Sequence, residues 1–154
     1  MSHELCTISL GALLSCLLLL AAQAQDLEEY VLTNPNGLEA HILPYGAILQ
    51  KLIVPDYDGV LRDIALGFDH LEPYENGTSP YFGALVGRVA NRVANSTFEL
   101  EGKTYHVSAN ENSTSLHGGK YGFSRQMWAG RPFTNGSSSG VTLQYFSPDG
   151  DEVS

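Results

Sequence analysis

The sequence predicts an all-β protein, and three observations lead to this fold class. After residue 25, no stretch carries a sustained apolar repeat at helical spacing. Short segments rich in β-branched and aromatic residues recur instead, and several of them alternate apolar with polar residues. Gly, Pro and Asn mark the turns between these segments. Strands at such spacing are typical of a β-sandwich or a barrel-like sheet.

The strand signals follow one another along the chain. Residues 30–33 form the first, before an Asn-Pro-Asn-Gly turn. Residues 38–42 alternate apolar with polar side chains, which predicts one face toward the core and one toward water. Further strands are predicted at residues 47–54, at residues 60–66, in a hairpin at residues 98–107, and at residues 141–145. An apolar run that ends at Gly87 also resembles a strand, whereas the Ser- and Gly-rich residues 135–140 predict a loop.

The first 24 residues predict a signal peptide. Residues 8–20 are almost continuously apolar, but this stretch is too short to span a bilayer. Ala22-Gln23-Ala24 then matches the small-x-small pattern at which a signal peptidase cuts. The lack of a positive charge before the apolar run leaves an uncleaved signal anchor as the alternative. We therefore expect residues 1–24 to be removed and residues 25–154 to be secreted, without membrane attachment.

Cysteine usage and glycosylation sequons agree with export. The only two cysteines, Cys6 and Cys16, lie inside the predicted signal peptide, so the mature chain has neither a disulfide nor a thiolate ligand. Four Asn-x-Ser/Thr sequons, which are typical of surface loops in secreted proteins, begin at Asn76, Asn95, Asn112 and Asn135. We expect an extracellular glycoprotein.

The net charge restricts the class of partner. The chain carries a formal net charge of −9 at pH 7. A nucleic-acid partner requires a basic face that releases phosphate counterions, and an anionic membrane surface also attracts basic residues. A small neutral ligand suits this acidic chain better than either.

The first candidate binding segment covers residues 81–92 and contains Arg88, Asn91 and Arg92. Guanidinium groups present several donors in one plane, and a carboxamide adds donors and an acceptor. Together they suit a ligand with many hydroxyl groups. On composition alone a simpler interpretation is favoured, in which the two arginines pair with nearby carboxylates.

The second candidate segment covers residues 112–128, in which two glycines follow His117. Glycines allow positive φ and a close approach of the backbone to a ligand, and binding residues often lie on such loops. Phe123 and Trp128 offer apolar faces to a sugar ring, although such aromatics are more often core residues. From the residues alone, His117 is more simply explained as a surface or turn residue.

No metal site or cofactor motif is predicted. The other histidines do not fall at metal-ligand spacings. The sequence contains no phosphate loop or dinucleotide fingerprint. Asp56 and Asp58 lie in a Pro/Gly turn, where we expect them to form the turn rather than a catalytic pair.

At the two candidate segments the chain resembles the galactose mutarotase, or aldose 1-epimerase, family. The string Phe-Gly-x-x-x-Gly-Arg-x-Ala-Asn-Arg at residues 82–92 is similar to one family signature. Leu-His-Gly-Gly at residues 116–119, followed by Gly122-Phe123 and Trp128, is similar to a second. Weaker matches extend the likeness over residues 37–151. The resemblance implies an antiparallel β-sandwich with a shallow site for a free aldose.

The resemblance also implies roles for particular residues. By family likeness, Asn91, Arg92 and His117 contact sugar hydroxyls, and Arg92 and His117 help to orient the ring-oxygen side. The implied reaction interconverts the α and β anomers of aldoses such as glucose and galactose. It needs an acid at the ring oxygen and a base at the C1 hydroxyl. No cofactor or metal is implied.

The chain departs from the family at the proton-transfer groups. The family's acid is a histidine in a Thr-Asn-His-x-Tyr-Phe-like string and its base is a glutamate near the C-terminus, and neither context occurs here. We therefore predict no catalytic residue in this chain, and expect an incomplete N-terminal half of an aldose 1-epimerase that is inactive alone. Two alternatives stay open: a short secreted product that binds sugar without catalysis, and a non-functional fragment whose exposed strand edges promote aggregation.

Overall fold

A computed structural model describes residues 29–136 and 138–152 of the chain. The predicted signal peptide at residues 1–24 lies outside the described residues. Within them, ten strands, one four-residue α-helix and two three-residue 3-10 helices form the regular structure, and every strand pairing is antiparallel. The prediction of an all-β chain is confirmed.

The largest sheet has four strands in the order β1-β2-β3-β4. They are β1 (Tyr30–Thr33), β2 (Glu39–Leu43), β3 (Ile48–Pro55) and β4 (Leu61–Asp63). Turn side chains define where these strands end. Asn34 Oδ1 accepts two backbone N–H groups of the first turn, at 2.9 and 3.1 Å. Asp56 Oδ1 does the same between β3 and β4, at 3.0 and 2.9 Å, so Asp56 forms the turn as the sequence predicts.

The other six strands form three two-stranded ladders. These pair β5 (Arg92–Val93) with β8 (Ser115–Leu116), β6 (Thr97–Leu100) with β7 (Lys103–His106), and β9 (Ala129–Asn135) with β10 (Ser138–Gln144). The short helix α1 (Glu72–Glu75) follows β4. The β6–β7 hairpin confirms the predicted one, and its Phe98 and Tyr105 rings stack with centroids 5.2 Å apart. The β5–β8 ladder joins the two candidate binding segments.

Three local predictions are wrong. β4 is shorter than the predicted strand at residues 60–66, because Asp63 Oδ1 accepts the N–H of Ala65 at 3.0 Å and turns the chain. The apolar run before Gly87 is irregular, and Gly83 takes a φ of +63° there to let the Leu49 carbonyl approach. Within the loop predicted at residues 135–140, Asn135 and residues 138–140 are paired in the β9–β10 hairpin, because cross-strand pairing overrides the weak strand propensity of Ser and Gly.

The face of β2 that the alternation assigns to water is partly buried. His41 lies between two carboxylates, with Nδ1 at 2.7 Å from Glu29 Oε1 and Nε2 at 2.7 Å from Glu39 Oε1. Its side chain is only 15% exposed. The alternation therefore predicts the strand but not the environment of its polar side.

The hydrophobic core of the described residues is small. Its buried members are Leu43, Ile48 and Tyr74, and partly buried aromatic side chains pack against them. Many large apolar side chains remain exposed, among them Tyr57, Leu61, Ile64, Leu66 and Phe146. The described strands therefore leave apolar area that they do not cover themselves.

Candidate functional site

Asn91 and His117 are held together by two reciprocal hydrogen bonds. The Asn91 N–H donates to His117 Nδ1 at 2.9 Å, and the His117 N–H donates to the Asn91 carbonyl at 2.9 Å. Both residues adopt positive φ, at 63° and 53°. Because a backbone N–H can only donate, Nδ1 must accept, and the neutral ring carries its hydrogen on Nε2. Among the described residues none hydrogen-bonds Nε2, which is the donor left for a ligand.

Arg92 lies beside this pair, at the start of β5. Its Nη1 is 3.5 Å from Asn91 Oδ1. On another edge the guanidinium donates to both Glu111 oxygens, with Nε–Oε2 at 2.5 Å and Nη2–Oε1 at 2.8 Å. These hydrogen bonds are the largest cause of a raised pKa for Arg92 and a lowered pKa for Glu111. The simpler interpretation, an arginine paired with a carboxylate, is therefore correct for Arg92, which nevertheless lies with Asn91 and His117.

Glycines let the two candidate segments touch. A Cβ on Gly118 would lie 1.6 Å from the Gly87 carbonyl oxygen, and Gly118 has a φ of +92°. The same oxygen accepts the N–H of Phe123 at 3.1 Å. The close approach that the sequence predicts for a ligand is thus made, at Gly118, by the backbone of the other segment. This contact holds the His117 loop against the Arg88–Asn91 stretch.

Asn110 fixes the loop that carries His117. Its Oδ1 accepts the Leu116 N–H at 2.7 Å, and its Nδ2 lies 2.9 Å from the carbonyl oxygens of Leu116 and Gly119. Nδ2 is also 3.1 Å from the hydroxyl of Tyr81, whose ring meets the His117 ring edge-on at 4.8 Å. One carboxamide therefore ties the backbone on both sides of His117 to a residue of the first segment.

Sequence reasoning missed Asn110 and Glu111 as members of the site. A tight turn, closed by mutual backbone hydrogen bonds between Glu111 and Thr114, returns the chain toward β8 and brings both residues to the site. The available signal was the Asn-Ser dipeptide at the tip of this turn, where Asn112 has a φ of 55°. From the sequence, that dipeptide is assigned to a glycosylation sequon and to the second candidate segment, but not to a turn.

Arg88 contacts a different part of the chain. Its Nε and Nη2 donate to Ser147 Oγ, at 3.0 and 2.8 Å, and Nη2 also donates to the Pro148 carbonyl. The Glu152 carboxylate accepts the backbone N–H groups of Lys120 and Tyr121, at 3.0 and 2.8 Å. Residues 147–152 thus contact both candidate segments, and Arg88 is not grouped with the three predicted binding residues.

Phe123 and Trp128 pack on each other. Their rings meet edge-to-face at 5.7 Å, and both lie within 5.7 Å of the Tyr145 ring. Trp128 Nε1 donates to the Phe123 carbonyl at 3.1 Å. These contacts favour the packing interpretation of the two aromatics over a platform for a sugar ring.

Two cavities border the site. One, of about 220 Å³, is mainly apolar and is lined in part by Phe98 and Phe123. The other, of about 230 Å³, has a mixed lining that includes Tyr81, Glu111 and Arg125. Neither is lined by the three predicted binding residues, two of which are exposed while the third is half-buried. These three side chains therefore form an open surface, not an enclosed pocket.

The site is rich in hydrogen-bond donors. Arg92 and the Nε2–H of His117 donate, while the Asn91 carboxamide both donates and accepts, which suits oxygen ligands without charge. Within residues 29–136 and 138–152, no group of three or more His, Cys, Asp or Glu side chains is placed to hold a metal ion. The same part of the chain has no helix long and apolar enough to cross a membrane.

The chain is similar to known proteins along most of its length. The aldose 1-epimerase family model matches residues 28–153. The galactose mutarotase of Bos taurus is 45% identical over 129 residues, which cover 84% of this chain and 36% of that protein. The galactose mutarotase of Homo sapiens is 44% identical over 115 residues, which cover 75% of this chain and 32% of that protein. The chain thus spans about a third of the length of these curated relatives.

Solved structures agree with the sequence comparison. An aldose epimerase homologue from C. elegans matches with a TM-score of 0.70 and 35% identity, over 81% of this chain and 37% of that one. The galactose 1-epimerase from Lactobacillus acidophilus matches with a TM-score of 0.69 and 29% identity, over 80% of this chain and 35% of that one. These likenesses confirm the predicted antiparallel β-sandwich. With the family match over most of its length, the chain belongs to the aldose 1-epimerase family.

Proposed function

We propose that Asn91, Arg92 and His117 bind a free aldose such as glucose or galactose, as part of an aldose 1-epimerase that interconverts α and β anomers. The observation that carries this proposal is the reciprocal hydrogen bonding of Asn91 and His117. Because His117 Nδ1 accepts the Asn91 N–H, the Nε2–H remains as a donor for a ligand, beside the N–H groups of Arg92 that Glu111 does not use. Preorganised donors of this kind suit the hydroxyl and ring oxygens of a pyranose.

We further propose that the chain supplies the sugar-binding part of the enzyme, and that additional polypeptide supplies the acid and the base. The strings that hold these groups in the family are absent from the sequence. The exposed apolar side chains, such as Leu66 and Phe146, suit contact with such a polypeptide. An in-frame coding sequence after Ser154 that contains a Thr-Asn-His-x-Tyr-Phe-like segment is the expected observation.

We also propose that the protein is secreted, because its first 24 residues resemble a signal peptide. The sequon residues Asn76, Asn95, Asn112 and Asn135 are all exposed, which supports glycosylation during export. N-terminal sequencing of the exported protein should begin at Gln25. An N-terminus that retains residues 8–20 would favour the uncleaved anchor instead.

Sugar binding is tested by NMR titration of the ¹⁵N-labelled chain with glucose and galactose. Removal of the His117 donor in His117→Ala should weaken binding roughly three- to tenfold, the value of one lost hydrogen bond. The matched control is His106→Ala, which removes an exposed histidine on β7 and should bind as the wild type does. Equal affinity of the wild type and His117→Ala would contradict the proposed site.

Polarimetry tests the role of the chain in catalysis. The 154-residue chain should not accelerate the mutarotation of α-glucose or α-galactose above the buffer rate, because the family's acid and base are absent from it. Acceleration that is lost in His117→Ala would show that the roles are misassigned. Sugar binding without acceleration by the complete gene product would favour the alternative, a secreted sugar-binding protein.

A further inference from the structure

In the proposed sugar site, Arg92 is already paired with the carboxylate of Glu111. Its Nε and Nη2 donate to the two oxygens of Glu111, at 2.5 and 2.8 Å, in a two-pronged contact. Both side chains are partly exposed, at 54% and 38%. Glu111 lies on the turn that leads into β8, directly before His117, so this turn brings the carboxylate to the same site as the imidazole.

The pairing leaves Arg92 with donors but little net charge. A guanidinium has five N–H groups, and Glu111 takes two of them. The rest, on Nη1 and Nη2, remain for a ligand, with Nη1 at 3.5 Å from Asn91 Oδ1. The hydrogen bonds from Arg92 lower the pKa of the Glu111 carboxyl, which favours its ionised form. A ligand beside Arg92 therefore meets hydrogen-bond donors and an adjacent negative charge together.

This arrangement separates neutral from anionic ligands. A hydroxyl oxygen gains the hydrogen bonds of Arg92 and is little affected by the Glu111 charge. A carboxylate or phosphate gains the same bonds but is repelled by that charge across a few ångströms. Arg125 is a further cation that lines the mixed cavity together with Glu111, whereas Asn91, Arg92 and His117 do not line that cavity.

We propose that Glu111 is a specificity-determining residue, which acts through Arg92 to favour neutral aldoses over sugars that carry a carboxylate or phosphate. The inference rests on the proposed aldose site and adds the chemical class that the site rejects. Glu111 is a positioning residue in this scheme, since it contacts Arg92 and not the sugar.

The test compares D-glucose with D-glucuronate, which share a pyranose ring and differ at C6. Both are titrated by NMR into the wild type, Glu111→Gln, Glu111→Asp and the matched control Glu99→Gln. The control removes one exposed carboxylate on β6 without touching Arg92. At low salt, Glu111→Gln should raise the glucuronate-to-glucose affinity ratio roughly fivefold, the effect of one exposed charge.

Three further readouts separate selectivity from a merely structural role. Glu111→Asp retains the charge and should keep a ratio close to that of the wild type. Glu99→Gln should also leave the ratio unchanged. At about 1 M NaCl, where the Debye length is only about 3 Å, the shift in Glu111→Gln should largely disappear. Circular dichroism checks that each variant is folded.

The outcomes distinguish this inference from the proposed function. An unchanged ratio in Glu111→Gln, while the wild type binds glucose, overturns the inference alone. A shift of the same size in Glu99→Gln overturns it as well, since net charge would then explain the effect. Absence of glucose binding by the wild type overturns the proposed site and, with it, this inference.

Discussion

At the scale of single residues, the site depends on backbone conformations that side chains normally disfavour. Asn91 and His117 both take positive φ, and each uses its backbone N–H to bond the other. Gly118 follows at a φ of +92°, with its Cα against the Gly87 carbonyl. The loop therefore presents the imidazole only because position 118 carries no Cβ.

The first residue-scale prediction concerns Gly118→Ala. Its Cβ would lie 1.6 Å from the Gly87 oxygen, so the two segments must separate. Left-handed strain and overpacking together should lower the free energy of unfolding by about 2–4 kcal/mol. The same displacement should weaken glucose binding. Denaturant unfolding and NMR titration measure the two effects.

Gly59→Ala is the matched control for Gly118→Ala. Gly59 has a similar φ of +78°, but a Cβ there would meet no atom within 4 Å. It should therefore lose only about 1 kcal/mol, the cost of left-handed strain. Equal losses in the two variants would contradict the close approach of the segments.

At the scale of elements, His41 links β2 to the chain just before β1. Its ring nitrogens each lie 2.7 Å from a carboxylate oxygen, one of Glu29 and one of Glu39. The pKa of His41 is raised above its ordinary 6.5, with the Glu39 hydrogen bond as the largest cause and burial opposing it. The imidazolium form is thus favoured in the folded state over the unfolded state.

The element-scale prediction follows from the raised pKa of His41 and concerns how stability changes with pH. A raised folded-state pKa stabilises the protein fully below about pH 6.5, and this stabilisation is lost as the pH rises through the folded-state value. The advantage of the wild type over His41→Gln in free energy of unfolding should therefore decrease as the pH increases from about 5 to 9. Denaturant unfolding at several pH values measures it.

Glu39→Gln is the control for the pH dependence. It removes the largest contribution to the raised pKa and should flatten the curve. A difference between the wild type and His41→Gln that stays constant, or grows with pH, would contradict the assignment of His41 as the titrating group.

At the scale of the whole molecule, apolar surface exceeds what the described strands bury. Of the hydrophobic side chains in the described part of the chain, three are buried, whereas Leu66 and Phe146 are 73% and 81% exposed. Single exposed apolar residues are common, but a set of this size favours association. The molecule-scale prediction is that the isolated chain binds hydrophobic dyes and self-associates.

The variant Leu66→Ser tests this surface. It should reduce light scattering while changing the free energy of unfolding by less than about 0.5 kcal/mol, because the side chain buries little area. The core control Ile48→Ala, at a side chain only 1% exposed, should lose about 2–5 kcal/mol. A comparable loss in Leu66→Ser would mean that this side chain is buried in solution.

The sequence by itself determined the strand-rich class and the segments that meet at the site. Period-two alternation and turn residues are local properties, so β1, the β6–β7 hairpin and the Asp56 turn were predictable. The resemblance of residues 82–92 and 116–119 to a family identified Asn91, Arg92 and His117. Their role as sugar ligands stays a prediction.

Only the tertiary structure decided how those segments are held together. The ties of Asn110 to Leu116 and Tyr81, and of Glu111 to Arg92, join residues that are distant or unremarkable in sequence. Strand pairing likewise decided that residues 138–140 are extended, against their local propensity. The reason is physical: hydrogen-bond partners and close approaches depend on three-dimensional neighbours, which no local periodicity encodes.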